Sequence, residues 1–255
     1  MSFLVVIPAR YASTRLKGKP LLDIAGKPMV QHTWEKACAS GAARVIIATD
    51  DERIESMARA FGAEVCMTSA AHPSGTDRIQ EVASQLKLSD DEVIVNVQGD
   101  EPMLPATLID QVAQTLLQHP QADMATLCEP IEDMALFANP NVVKLVKDVH
   151  GKALYFSRAP VSWHRDEFAQ GISDVPPSGW QAFRHIGLYS YRVGLLNQFV
   201  QWSPAPIEQW EALEQLRVLW NGGYIQVSEA AVIPPAGVDT PDDLVRVRSI
   251  LGDGR

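Results

Sequence analysis

The chain has 255 residues, 46% of them hydrophobic, with a formal net charge of −9. Its length and apolar fraction can fill one large α/β core, and the acidic balance excludes a general nucleic-acid binder. Cys38, Cys66 and Cys128 give neither zinc spacing nor a disulfide framework, no run is apolar enough to span a membrane, and no leader precedes the first strand, so a reducing cytoplasm is the expected compartment.

In chain order, the apolar run 3–7 predicts a buried strand. It breaks at Pro8 into a loop carrying Arg10, Arg15, Lys17 and Lys19. Cations gathered directly after a strand suit a polyanion such as a nucleoside triphosphate, because Arg offers a planar fork and Lys a mobile point charge. A basic loop can equally be a solvated one. Here it stands against an acidic background, at the end of the first strand of an α/β pattern, where such folds bind ligands. Neither a P-loop nor a Gly-x-Gly-x-x-Gly fingerprint is present.

Residues 29–40 read as a helix closed by Gly41, and 44–49 as a strand. Asp50 and Asp51 stand where they can cap a helix ending at Gly62, and 64–67 form a third strand. This β-α-β-α-β opening implies a parallel sheet. Ser74, Gly75 and Thr76 lead into a helix over 77–87, either as an ordinary capped loop or as a second ligand-facing one. The strand 92–97 ends in Gln98-Gly-Asp-Glu-Pro102. Carboxylates directly after a buried strand suit Mg²⁺, which is held by one or two carboxylates with phosphate oxygens and water; a helix-capping Asp is the plainer reading.

A helix over 105–119 and a strand over 124–129 follow. Residues 140–147 and 153–156 flank Asp148-Val-His-Gly151 and predict a hairpin. Residues 162–182 are irregular, as in a mobile lid or a partner-facing insertion. The strand 184–192 places His185, Gly187 and Tyr189 on one face, where packing competes with a site role. Helices are expected over 193–202 and 207–220, the second with Trp210, Leu213, Leu216 and Leu219 inward and Glu208, Glu211 and Glu214 on a solvated face. A strand over 224–227 and a helix capped by Asp239 end the chain. No repeat or linker divides it, so residues 1–255 are expected to form one domain.

With these residues in view, the chain resembles the 3-deoxy-manno-octulosonate (Kdo) cytidylyltransferase family almost end to end. The resemblance runs through Val6-Ile-Pro-Ala-Arg-Tyr-Ala-Ser-Thr-Arg-Leu-Lys-Gly-Lys-Pro20, His72-Pro-Ser-Gly-Thr-Asp-Arg78, Asn96-Val-Gln-Gly-Asp-Glu-Pro102, Ala153-Leu-Tyr-Phe-Ser-Arg-Ala-Pro160, Arg184-His-Ile-Gly-Leu-Tyr189, Glu211-Ala-Leu-Glu-Gln-Leu-Arg217 and Gly237-Val-Asp-Thr-Pro-Asp-Asp243. The first motif is shared by many sugar nucleotidyltransferases; the ordered set is far more specific.

The resemblance implies a three-layer α/β/α nucleotidyltransferase fold, GT-A-like and Rossmann-like, with a mostly parallel mixed sheet. It implies a homodimer that uses Mg²⁺ to join CTP and Kdo into CMP-Kdo and pyrophosphate, for bacterial lipopolysaccharide synthesis, with the hairpin and insert at about 139–192 contributing to sugar binding and dimer contacts. By the same resemblance Arg10, Arg15, Lys19, Asp100 and Asp239 are catalytic, with Asp100 and Asp239 holding the metal. Ala9, Arg10, Ser74, Gly75, Thr76, Arg78, Gln98 and Asp100 bind the nucleotide. Arg158, His185, Tyr189, Glu214 and Gln215 bind the acid sugar. A transferase for another sugar or polyol, or a catalytically silent nucleotide-binding regulator, are the alternatives.

Overall fold

The strand β1 (Phe3–Ala9) runs through the middle of the sheet in the computed structural model, which describes residues 2–12 and 16–252. Val5 and Ile7 pack on one face of the sheet, Leu4 and Val6 on the other. A strand covered on both faces reads as a continuous apolar run, which is why the sequence shows no alternation here.

A small hairpin of β2 (Asp23–Ile24) and β3 (Lys27–Pro28) follows, then α1 (Met29–Cys38), β4 (Arg44–Thr49), α2 (Glu52–Ala60), β5 (Glu64–Met67), α3 (Gly75–Gln85) and β6 (Val93–Asn96). Next come α4 (Ala106–Gln118), β7 (Met124–Pro130), α5 (Met134–Ala138), β8 (Lys144–Lys147), β9 (Ala153–Ser157) and β10 (Phe183–Arg192). The chain ends with α6 (Val193–Phe199), α7 (Pro206–Glu211), α8 (Leu216–Trp220), β11 (Ile225–Glu229) and α9 (Pro241–Gly252).

Among the described residues the sheet runs β11-β7-β10-β6-β1-β4-β5, with β8 and β9 added beside β10. The pairs β1–β4, β1–β6, β4–β5 and β7–β11 are parallel, and β10 is antiparallel to both β6 and β7. Only β10 therefore runs against the rest of that path, giving a mixed, mostly parallel sheet. Side chains from α1, α2 and α4 cover one face, and those from α3, α6 and α8 the other. The result is the expected three-layer α/β/α arrangement.

The hairpin around Asp148 forms as expected, with Leu145 opposite Phe156. Of the two candidate caps for α2, Asp51 accepts from Arg53 N at 3.0 Å, while Asp50 lies 3.3 Å from the buried Arg78 guanidinium. The 162–182 segment is irregular but anchored: Phe168 is 1% exposed and packs against Phe137 and Trp180.

One expectation fails. The chain over 207–220 is two short helices, because Ala212 takes a left-handed conformation (φ 50°, ψ 51°) that ends α7. That conformation costs an L-residue roughly 1–2 kcal/mol. Tertiary partners outweigh it, since the three glutamates are engaged rather than solvated. Glu208 binds Ala205 N and the Arg217 guanidinium, Glu211 accepts from Ser157 Oγ and Arg158 N, and Glu214 accepts from Thr76 Oγ1. Trp210, expected inward, is 80% exposed.

Candidate active site

The order of the strands fixes where ligands meet the protein. From β1 the chain moves outward to β4 and β5, then returns to the opposite side of β1 with β6. The crevice beyond the carboxyl ends of β1 and β6 is thus a topological switch point, the usual ligand position in open α/β sheets. The two loops leaving it touch: Val97 N donates to Val6 O at 3.1 Å, and a Cβ on Gly99 would sit 3.0 Å from Pro8 O. Any side chain at Gly99 would press the segment after β6 away from Pro8 at the end of β1. From the other side, Thr33 Oγ1 donates to Gly99 O at 3.2 Å.

Lys19, Asp100 and Asp239 meet at this crevice from three distant parts of the chain. The Lys19 ammonium, in a residue only 9% exposed, lies 2.6 Å from Asp100 Oδ2 and 3.1 Å from Asp239 Oδ1. Asp239 is not the cap of α9, as the plainer reading had it. Thr240 Oγ1 accepts from Asp243 N and Asp243 Oδ2 accepts from Thr240 N, a reciprocal cap that leaves the Asp239 carboxylate to Lys19. Val238 N donates to Asp100 O at 2.9 Å, which ties the two acidic loops together. Beside them, burial and the charges of Asp100 and Asp239 push the Glu101 carboxyl up to about 7.

Two carboxylates sharing one ammonium match the donor set of Mg²⁺, which takes one or two carboxylates and completes its shell with phosphate oxygens and water. Among the described residues no larger metal-holding cluster exists.

Two cavities open from this point. The first, about 350 Å³, is lined by Ala9, Arg10, Lys19, Gly75, Gln98, Asp100 and Asp239, among others. Arg10 Nη1 is 3.5 Å from Pro73 O, and its Nη2 is buried with no partner among the described residues. A buried unpaired guanidinium N–H is costly unless a ligand oxygen meets it. Arg15 lies outside the described residues. Ser74, Thr76 and Arg78 stand behind the cavity: Ser74 caps α3 through Asp77 N, Thr76 donates to Glu214, and Arg78 is fully buried against Thr68 and Asp50.

The second cavity, about 570 Å³, meets the first at Gln98 and Asp239. Of the expected sugar-binding residues, His185, Tyr189 and Gln215 line it. Gln215 Nε2 is buried without a partner among the described residues, a donor available to a hydroxyl. Glu214 faces Thr76 in an adjoining small recess instead. Arg158 does not line the cavity; its Nε donates to Glu211 O and its Nη1 to Pro140 O. Asn141, Arg184 and Gly237 line the wall although the sequence assigns them no role, and so does Glu101, which the sequence offers only as half of the acidic pair suited to Mg²⁺. The acidic pair after β6 was the available signal for Glu101; a residue such as Arg184, at the start of a strand, gives none.

His185 lies edge-on to Phe156 at 4.9 Å, with Tyr189 at 5.3 Å, and its Nε2 is 3.1 Å from Thr126 Oγ1. That hydroxyl faces the carbonyls of Ile186 and Leu188, to one of which it donates, so it accepts from an Nε2–H. Desolvation, with the Arg184 charge adding to it, pushes the His185 pKa down to about 3. The unfolded chain would bind this proton near 6.5. His185 therefore contributes stability above that pH and loses it progressively as the pH falls toward 3. Urea unfolding at several pH values should show His185→Gln with a shallower acid-side decline than the unmodified chain; identical slopes would contradict a neutral buried ring.

Fold and site together define a nucleotide-handling α/β enzyme, with a cationic, dicarboxylate crevice at a sheet switch point and a second polar cavity against it. The sequence matches the Cytidylyltransferase family over residues 4–229. It is 58% identical over 250 residues to the 3-deoxy-manno-octulosonate cytidylyltransferase of Pseudomonas syringae pv. syringae (strain B728a), covering 98% of each chain. It is 58% identical to the enzyme of that name from Cellvibrio japonicus (strain Ueda107), over the whole of both chains. A solved CMP:2-keto-3-deoxy-manno-octonic acid synthetase complexed with CTP superposes over 100% of both chains, with a TM-score of 0.89 at 41% identity. The chain belongs to the 3-deoxy-manno-octulosonate cytidylyltransferase family.

Proposed function

We propose that the chain transfers the cytidylyl group of CTP to the 2-hydroxyl of Kdo, releasing pyrophosphate, and that the product serves lipopolysaccharide synthesis in the bacterial cytoplasm. The observation that carries this reading is the convergence of Asp100 and Asp239 on Lys19 where the two cavities meet. One cavity takes the nucleotide and the other the acid sugar, so the reacting atoms come together at the charged centre.

In the reaction the sugar hydroxyl oxygen attacks the α-phosphorus. The bond to the bridging oxygen breaks, pyrophosphate leaves with the electron pair, and the hydroxyl proton passes to solvent. Arg10, Arg15 and Lys19 offset the charge that builds on the departing group, so catalysis is chiefly positioning and electrostatics. Asp100 and Asp239 would hold Mg²⁺, which when bound would supply Lewis-acid charge at the phosphate and lower the pKa of the attacking hydroxyl. Ala9, Gly75 and Gln98 form the nucleotide wall, with Ser74, Thr76 and Arg78 supporting the loop that reads the base. His185, Tyr189 and Gln215 meet the sugar, while Glu214 and Arg158 brace the segments beside it.

The whole chain works as one nucleotidyltransferase domain, and the 139–192 region supplies sugar-cavity wall. A homodimer accords with apolar surface at Leu154, Trp210 and Trp220, which are 56%, 80% and 57% exposed.

Pyrophosphate release, measured with each nucleoside triphosphate in the presence of Kdo, sialic acid or no acceptor, tests the reading. Release only with CTP plus Kdo is expected. Equal release with another acceptor or another nucleotide would overturn it.

Gly237 offers a narrower test. A Cβ there would lie 3.1 Å from Asp100 O and 2.8 Å from Glu101 Oε1. Gly237→Ala crowds the Glu101 carboxylate and presses the Asp239 loop away from Asp100 O by less than the roughly 1 Å that can cost on the order of 10²-fold in rate, so a loss of about 10-fold is expected. Turnover should fall by about that factor while the melting transition moves little; unchanged turnover would mean the loop gives way freely.

A further inference from the structure

The acid sugar carries a carboxylate, so the cavity that receives it needs a positive charge. The ionisable groups on the wall of the second cavity are Glu101, Arg184, His185, Tyr189 and Asp239. Two are carboxyls. His185 is held neutral and Tyr189 keeps its proton. Among the described lining residues Arg184 is the one cation.

Of the described cations near this wall, Lys19 is held by Asp100 and Asp239, and Lys144 and Arg158 are engaged by backbone carbonyls. Lys144 is fully buried, and its ammonium donates to Asn139 O at 2.8 Å and Val142 O at 2.5 Å. Arg158 donates to the carbonyls of Pro140 and Glu211. Both hold the 139–143 loop and its neighbours in place from behind the wall formed by Asn141, Val142 and Val143.

Resting on the cytidylyltransferase reading, we infer that Arg184 receives the carboxylate of the acid sugar and that Glu129 orients it for that task. Arg184 pairs with Glu129 across β10 and β7, with Nη1 3.1 Å from Glu129 Oε1. The Glu129 side chain is 10% exposed and that of Arg184 is 33% exposed. The buried acid thus pairs with one arm of the guanidinium, while the Arg184 side chain, more exposed, lines the cavity. A planar fork fixed at one arm suits a second carboxylate, which it can bind through two parallel hydrogen bonds. The amides of Gln98, Asn141 and Gln215 on the same wall suit the sugar's hydroxyls.

The test compares Kdo with its neutral carboxamide as acceptors. Glu129→Gln/Arg184→Met removes both charges at once, so no buried Glu129 charge is left unpaired to unfold the chain; Arg184→Lys keeps a charge without the fork. The unmodified chain should favour the carboxylate over the amide by on the order of 10–100-fold in kcat/KM, mostly through KM. The double variant should lose that preference, Arg184→Lys should keep part of it, and the KM for CTP should stay the same in both. A preference that survives in the double variant, or a KM for CTP that rises in step with that for Kdo, overturns the assignment. An unmodified chain that uses neither acceptor overturns the cytidylyltransferase reading and this inference with it.

Discussion

Asp100→Asn should give a folded protein that releases almost no pyrophosphate. The substitution keeps the shape of the side chain and removes its charge. In the unmodified chain that charge lies 2.6 Å from the Lys19 ammonium and faces the point where the two cavities join. The fold does not depend on it: the side chain is 35% exposed, Lys19 retains Asp239, and the tie from Val238 N reaches the backbone oxygen of Asp100. A partly exposed pair of this kind contributes about 1 kcal/mol or less. Removing one preorganised charge from a phosphoryl-transfer centre costs on the order of 10²–10³ in rate. The expected result is therefore a melting transition close to that of the unmodified chain with kcat down by at least that factor. Asp239→Asn should act in parallel, because it loses the other half of the same arrangement. Normal Mg²⁺-dependent turnover in Asp100→Asn would remove Asp100 from the metal role.

This centre was legible in the sequence because each part sits in a local context that means something alone. The cations follow a buried strand, and Asp100 follows another. The positions of β1, β4, β5 and β6 could be read because they are short apolar runs between clear turn signals. Asp239 was ambiguous. Asp-Thr-Pro reads as a helix cap, and only the reciprocal Thr240–Asp243 bonds reveal that its carboxylate is released for Lys19.

What stayed hidden depends on partners far away in sequence. The spacing of Trp210, Leu213 and Leu216 satisfies a helix, yet the chain turns at Ala212, where Glu208 pairs with Arg217 across the turn and Glu211 and Glu214 reach partners far off in sequence. Arg78 and Thr76 carry a motif that reads as ligand-facing. Their side chains instead serve the core and the Glu214 contact, and Gly75 lines the cavity. Arg184 reads as an ordinary strand residue until β7 places Glu129 beside it and the cavity wall opens in front.

The same broken helix carries the largest expected effect on stability. Glu208 and Arg217 form an ion pair whose side chains are each 11% exposed. The carboxylate accepts from Arg217 Nη2 at 2.6 Å and Nε at 2.9 Å, and it also accepts from Ala205 N at 2.9 Å, closing the start of α7. The Arg217 guanidinium lies over the Phe199 ring at 4.2 Å. Glu208→Ala would uncap the helix and leave that guanidinium nearly buried without its hydrogen-bonded counter-charge, with only the weaker pull of Glu214 and Asp77. Breaking a buried pair from one side costs about 3–5 kcal/mol. For a chain of this size that is on the order of a 10 °C fall in Tm. Glu208→Gln can still accept one bond and should lose less. The loss should also reach the site, because the segment between α7 and α8 carries Glu214, which holds Thr76, and Gln215, which lines the second cavity. KM should therefore rise for both CTP and Kdo in Glu208→Ala, unlike the acceptor-only effect expected at Arg184. Urea unfolding and steady-state kinetics on the same samples measure both. A stability loss below about 1 kcal/mol would place this pair with ordinary surface ion pairs.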